Sequence, residues 1–173
     1  ESSIKLIFSV QCKMISAVNH ALIDNAGDFY NIMGWARTRG KDKLRDSYST
    51  TSEIFSACAG AAIYDREALV KIGLFDESHF AYLEDVDVGY RAKLDGYINK
   101  YNPDAIVYHE GSATSGSRHN EFKVKLAARN SILIRYKNMK MIYGYMMDGY
   151  YYIFFVPLQS FSEKEEKILK EEE

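Results

Sequence analysis

An α/β fold is predicted from three observations. Apolar or small-residue runs of strand length occur at Ile4 to Val10, Phe55 to Tyr64 and Ala105 to His109. Segments of helical character lie between and after them, at about 66–72, 82–95 and 121–138. Capping residues and glycines punctuate the boundaries: Asp65 precedes the first helix, Gly73 follows it, and Gly96 follows the second. At 173 residues one domain is the prior expectation, and hydrophobic residues, 47% of the chain, suffice for a core.

The elements read in order as follows. Ile4 to Val10 is a short strand. Residues 24–50 mix Gly27, Gly34 and Gly40 with many charges, so a loop with little regular structure is expected there. Phe55 to Tyr64 reads as one buried strand. Asp65 caps a helix from Arg66 to Ile72, and Gly73 stops it at positive φ. Ala105 to His109 is a strand, and Glu110 to His119 is a Gly/Ser-rich loop. Glu121 to Asn138 is a helix with Phe122, Leu126, Leu133 and Tyr136 on one side. Ser162 and Glu165 have the spacing of a capping box for a final charged helix.

The segment Leu83-Glu84-Asp85-Val86-Asp87 opens the second long helix with three carboxylates in four positions. Like charges this close repel, more so as the site dries out. Leu83, Val86, Tyr90 and Leu94 recur on one helical face. Glu84, Asp87, Arg91 and Asp95 share another, with Asp87 placed to pair with Arg91 at i+4. Asp85 lies on a third line with the small residues Gly89 and Ala92, which predicts an open lane in front of it. Acids in a first helical turn also complement the macrodipole, which accounts for Glu84 and Asp87 without any chemistry. It accounts for Asp85 less well. A carboxylate within hydrogen-bond reach of a hydroxyl can serve as a general base.

The residues flanking the cluster extend it into an ordered series. Gly73-Leu74-Phe75-Asp76-Glu77 precedes Glu84-Asp85-Val86-Asp87, and Arg91 follows. Gly96-Tyr97 comes next, then Tyr101-Asn102-Pro103-Asp104-Ala105-Ile106-Val107-Tyr108-His109. Upstream lie Ile23-Asp24-Asn25-Ala26-Gly27 and the glycine-rich stretch from Gly34 to Gly40. The series resembles the acceptor side of family 2 glycosyltransferases, in their rhamnosyltransferase-like branch, over roughly residues 10–140.

The resemblance implies a partial GT-A-like mixed sheet flanked by helices. Residues 1–140 would form the acceptor-side half of the transferase domain, and 141–173 an aromatic segment with a charged helical tail. It implies transfer of a sugar from a nucleotide-sugar donor to a glycan or lipid-linked acceptor, with inversion. Asp85 corresponds to the family's general base, and Glu84, Asp87 and Trp35 are candidates for acceptor binding. Trp35 is equally readable as a buried loop anchor. Gly60 and Ala61, in a run of small residues, and Arg118 are candidates for donor binding, although tight packing predicts the same small residues. His109 is the candidate for a divalent metal, Mg²⁺ or Mn²⁺, in the intact enzyme. The family's N-terminal nucleotide-binding half and its Asp-x-Asp motif have no counterpart before Asp85. This chain alone is therefore expected to bind no metal and to be inactive.

The remaining features narrow the class. A net charge of −2 gives no global attraction to nucleic acid. Cys12 and Cys58 have no metal-ligand spacing and read as reduced core thiols of a cytoplasmic protein. His79 and His119 are expected to be exposed. The segment 139–161 is rich in Met, Tyr and Phe, but its longest uncharged stretch, Gly149 to Phe161, has 13 residues. A bilayer span needs about 20, so the segment suits peripheral contact with the inner membrane face, a core helix or a homodimer helix. Two further readings compete with transfer. One is a non-catalytic carbohydrate-binding or interaction module. The other is a metal-dependent hydrolase using Glu84, Asp85, Asp87 and His109, disfavoured because three of the four share one helical turn.

Overall fold

The computed structural model describes residues 6–31, 33–111 and 121–139. Two units emerge, residues 1–134 and 135–173. The C-terminal tail, including the expected capping box at Ser162, lies outside the described residues, as do Arg118 and His119.

A mixed five-stranded sheet organises the first unit. Strand β1 (Ile7–Ser16) runs parallel to β7 (Ile98–His109), and the two pair along nearly their whole lengths. On its other edge β1 pairs antiparallel with β2 (Ile23–Asn25) and with β6 (Ala62–Tyr64). On the far side of β7 lies the short antiparallel β5 (Ser52–Ile54). The register between β1 and β7 jumps from Cys12 opposite Asn102 to Lys13 opposite Ile106. Pro103 sits in that jump; it has no N–H for the ladder, so the chain bulges there. Asn102 stabilises the bulge by accepting from the Asp104 amide at 3.0 Å.

Two helices cover this sheet. Helix α1 (Arg66–Lys71) is capped as its sequence predicts: Asp65 accepts from the Ala68 amide at 2.7 Å, and Gly73 follows at φ +80°. Helix α2 (Glu84–Leu94) ends before Gly96 at φ +89°. Phe8 of β1 is fully buried against Ala68, Val88 and Ala92, with Tyr64 edge-on to it. A second cluster joins Ile15, Ile23, Ile54 and Tyr101. Burying a side chain of that size contributes about 1.5–3 kcal/mol, so β1 and β7 hold the unit together. Helix α3 spans Glu121–Asn138.

Several expectations are corrected. Residues 24–50 are not structureless, because β2 lies there with a two-stranded hairpin of β3 (Asp28–Tyr30) and β4 (Ala36–Thr38). Phe55 to Tyr64 is not one strand. Its middle turns away from the ladder, because the Cys58 and Ala59 amides donate to side chains, Gln11 at 2.7 Å and Asp85 at 3.1 Å. The first strand is longer than expected and reaches Ser16. Helix α2 starts at Glu84; Leu83 precedes it in the left-handed region, and Leu94 on the presumed apolar face is exposed. Helix α3 buries Asn130 and Ile134 while Phe122 and Tyr136 are exposed. His79 is fully buried, not exposed.

Candidate active site

The acid motif reaches its place through an unusual turn. Asp76 caps a short 3₁₀ turn at Glu77–His79. Phe80 then adopts φ 59° and ψ −60°, and the Ala81 amide donates back to the His79 carbonyl at 2.7 Å. This is a γ-turn of the rare positive-φ kind. Tyr82 and Leu83 follow at φ 67° and 65°. None of the three is glycine, and each left-handed residue costs about 1–2 kcal/mol. Strain of this kind concentrates at functional sites, where the surroundings hold it in place.

Beyond the turn opens a cleft of about 930 Å³. Glu84 and Asp85 lie on its wall together with Asp28, Cys58 and Gly60, and apolar lining comes from Phe80, Leu83 and Phe122 among others. Phe80 and Phe122 meet edge to face at 6.5 Å, and both are more than half exposed. Exposed aromatic rings beside carboxylates suit a ligand with both apolar faces and hydroxyl groups.

Asp85 is deeply placed. Its Oδ1 accepts from the Val86 amide at 2.9 Å and its Oδ2 from Ala59. Burial raises its pKa against the pull of these amides. Glu84 is raised too, by burial first and then by the charge of Asp85. Its Oε2 is buried and finds no hydrogen-bond donor among the described residues. Asp28, which the sequence reading missed, sits at the start of the β3–β4 hairpin and accepts from Asn25 at 3.2 Å. Burial, reinforced by Asp85, pushes it up to about 7. Asn25 is itself fixed by Gln11 at 2.8 Å and by the Gly27 amide. No local pattern marks Asp28. Only the bridge that carries its amide to the Ser56 carbonyl brings it near Asp85.

The other sequence-predicted residues are dispersed. Asp87 is fully buried and paired with Arg91 Nε at 2.9 Å, away from the cleft lining. Arg91 also donates to the carbonyls of Ile72, Gly73 and Leu74, so the pair ties the end of α1 to α2. The lane expected before Asp85 is closed, because Gly89 lies against Ser56 and Ala92 is fully buried. Trp35 is half exposed at the hairpin tip; its neighbours Ala36 and Arg37 line the cleft and it does not. Ala61 sits beside Gly60 but is not part of the lining. Arg118 lies outside the described residues.

His109 ends β7, and its Nδ1 meets Asp24 Oδ2 at 2.8 Å. Lys41 pairs with the other Asp24 oxygen. Burial would raise Asp24, but the bonds to Lys41 and His109 outweigh it and hold the carboxyl below its ordinary value. Among the described residues the one group of three potential metal ligands is Asp28, Cys58 and Asp85, within 4.8 Å of one another. It does not fit Mg²⁺ or Mn²⁺. Those ions take oxygen ligands, whereas burial pushes the Cys58 thiol up to about 12, and His109 stands outside the group.

No family model matches the chain. It is 28% identical over 120 residues to the N-acetylglucosaminyl-diphospho-decaprenol L-rhamnosyltransferase of Mycobacterium tuberculosis, in two strains. The match covers 65% of this chain and 37% of each relative, so the chain spans little over a third of their length. Among the described residues no helix is long and apolar enough to cross a membrane.

Proposed function

We propose that the chain carries the acceptor side of a glycosyltransferase, moving a sugar from a nucleotide-sugar to a lipid-linked saccharide with inversion at the anomeric carbon. The observation that carries this reading is Glu84 Oε2, a buried acceptor without a donor, beside Asp85 on the wall of an aromatic-lined cleft. A buried oxygen left unbonded is costly, and a sugar hydroxyl would satisfy it. The distant likeness to a rhamnosyltransferase whose named acceptor is a diphospho-decaprenol saccharide supports the lipid-linked class.

In this reading an acceptor saccharide lays its apolar ring face on Phe80 and Phe122 and donates a hydroxyl to Glu84. A neighbouring hydroxyl then meets Asp85, which takes its proton as the oxygen attacks. A carboxylate with a raised pKa is a stronger base than an ordinary one, which suits that role. Burial and the neighbouring Asp85 disfavour the charge of Asp28, which eases the crowding of the pair. No step is assigned to a metal ion.

The test uses the natural full-length protein with a panel of labelled nucleotide-sugars and short-chain polyprenyl-diphosphate saccharides. Transfer is expected with at least one pair, and Asp85→Asn should reduce it by at least about 100-fold. Saccharide binding without transfer from any donor would overturn the reading in favour of a carbohydrate-binding module.

A further inference from the structure

Asn130, midway along α3, is fully buried, an uncommon place for a carboxamide. Its Nδ2 lies 2.9 Å from the His79 carbonyl, 2.9 Å from Ala81 and 2.8 Å from Tyr82. Its Oδ1 accepts from Arg129 at 3.1 Å, and the same guanidinium nitrogen donates to the Ser78 carbonyl at 2.7 Å. Two adjacent residues of one helix therefore hold four carbonyls of one segment. That segment is the strained one, with the γ-turn at Phe80 and left-handed Tyr82 and Leu83. Its next two residues are Glu84 and Asp85.

Such a backbone persists only where its surroundings over-determine it. The chemistry of the clasp is selective. It needs two N–H bonds on a short stem, shared among converging carbonyls. Aspartate has only acceptors when ionised, leucine has nothing to offer, and glutamine is one methylene longer.

We propose that Asn130 is a positioning residue, the clasp that keeps the turn at 79–83 in its strained form and thereby aims Glu84 and Asp85 into the cleft. The catalytic meaning of that aim rests on the function proposed above. The clasp itself does not, so it is tested without a transfer assay.

The experiment is native-state hydrogen exchange on the whole chain, paired with titration of the Asp85 carboxyl carbon by NMR. Asn130→Asp should speed exchange of the amides at 80–87 by about tenfold or more while the β1–β7 amides stay near their wild-type rates. The Asp85 titration should move down towards that of an ordinary carboxylate as the residue becomes solvated. Adding Phe80→Gly, which relieves the positive-φ strain, should restore part of the protection. If Asn130→Asp does not fold, Asn130→Ser keeps one donor and carries the same readouts at smaller amplitude. An even loss of protection over sheet and turn, or an unmoved Asp85 titration, would overturn the proposal. Failure of the transfer reading alone would show instead as an intact clasp in a protein that binds saccharide but transfers from no donor.

Discussion

His109 Nδ1 donates to Asp24 Oδ2 at 2.8 Å, so the last residue of β7 is locked to β2 across the end of β1. The imidazole is partly exposed, yet its anchoring carboxylate is nearly buried. Lys41 completes the group from the loop after β4. Three segments far apart in sequence thus meet at one carboxylate.

That carboxylate should show in the acid limb of stability. Asp24 has a folded pKa below its ordinary value of 3.8. Its contribution is therefore present above about pH 4 and lost as pH falls through the folded value. Asp24→Asn should lower stability at pH 7 by about 2 kcal/mol, the scale of a charge-assisted hydrogen bond. It should also flatten the decline below pH 4. Urea denaturation from pH 2.5 to 7 checks both; an acid limb identical to wild type would rule the contribution out.

Asp28 has the opposite sign. Its pKa rises from 3.8 to about 7 on folding, so between those values the folded state holds more protons than the unfolded state. Stability should fall as pH rises through this window, by up to on the order of 4 kcal/mol. Asp28→Asn keeps the shape and removes the ionisation. Its melting temperature should exceed wild type at pH 7.5 and match it near pH 4. A wild-type stability that is flat from pH 4 to 7 would contradict this.

Local signals were legible in the sequence and long-range ones were not. Asp65 as a cap, Gly73 and Gly96 at positive φ, and the i+4 pair of Asp87 and Arg91 all follow from spacing, because each depends on neighbours within a turn. Asp28, Asp24 and Asn130 carry no such mark. Their roles arise from bridges that close only in three dimensions, such as Asp28 to Ser56 and Asn130 to the turn 50 residues before it. The resemblance to a transferase signature pointed to Glu84 and Asp85, and both lie on the cleft wall. Helical periodicity misplaced the opening before Asp85, since it sees the small size of Gly89 and Ala92 but not the sheet packed on them.

Two glycines of similar appearance should respond differently. A Cβ at Gly89 would stand 2.5 Å from Ser56 Cβ and 3.0 Å from its Cα, with backbone that cannot yield. Gly89→Ala should cost about 1–3 kcal/mol through overpacking and push α2 off the sheet. At Gly73 the nearest atom is 3.9 Å away, and only its φ of +80° objects. Gly73→Val should cost about 1 kcal/mol or more by strain alone. The test is thermal melting with near-UV circular dichroism: the Gly89 variant should alter the aromatic signal, and the Gly73 variant should not.

Asp85 and Asp87, two positions apart, should separate stability from chemistry. Asp87 is fully buried and its charge is matched by Arg91, which is itself held by three carbonyls. Removing one partner of a buried pair leaves the other uncompensated, a loss of about 3–5 kcal/mol. That is far more than an exposed i+4 pair contributes. Asp87→Asn should therefore lower the denaturation midpoint strongly, while transfer by the remaining folded protein stays near wild type because Asp87 does not line the cleft. Asp85 is held instead by the backbone amides of Val86 and Ala59. Burial penalises its charge, and the Glu84 charge next door suffers for it. A carboxyl whose pKa is raised in the folded state destabilises the fold above its unfolded pKa, so neutralising it should leave melting at pH 7 unchanged or higher. The two amides bond different oxygens of Asp85, so the carboxamide keeps one of these bonds and loses the other. Asp85→Asn should thus be stable and inactive, and Asp87→Asn unstable and active. Chemical denaturation and transfer rates measured on the same preparations decide it, and an Asp85→Asn protein that melts several degrees early would mean that this carboxylate serves the fold.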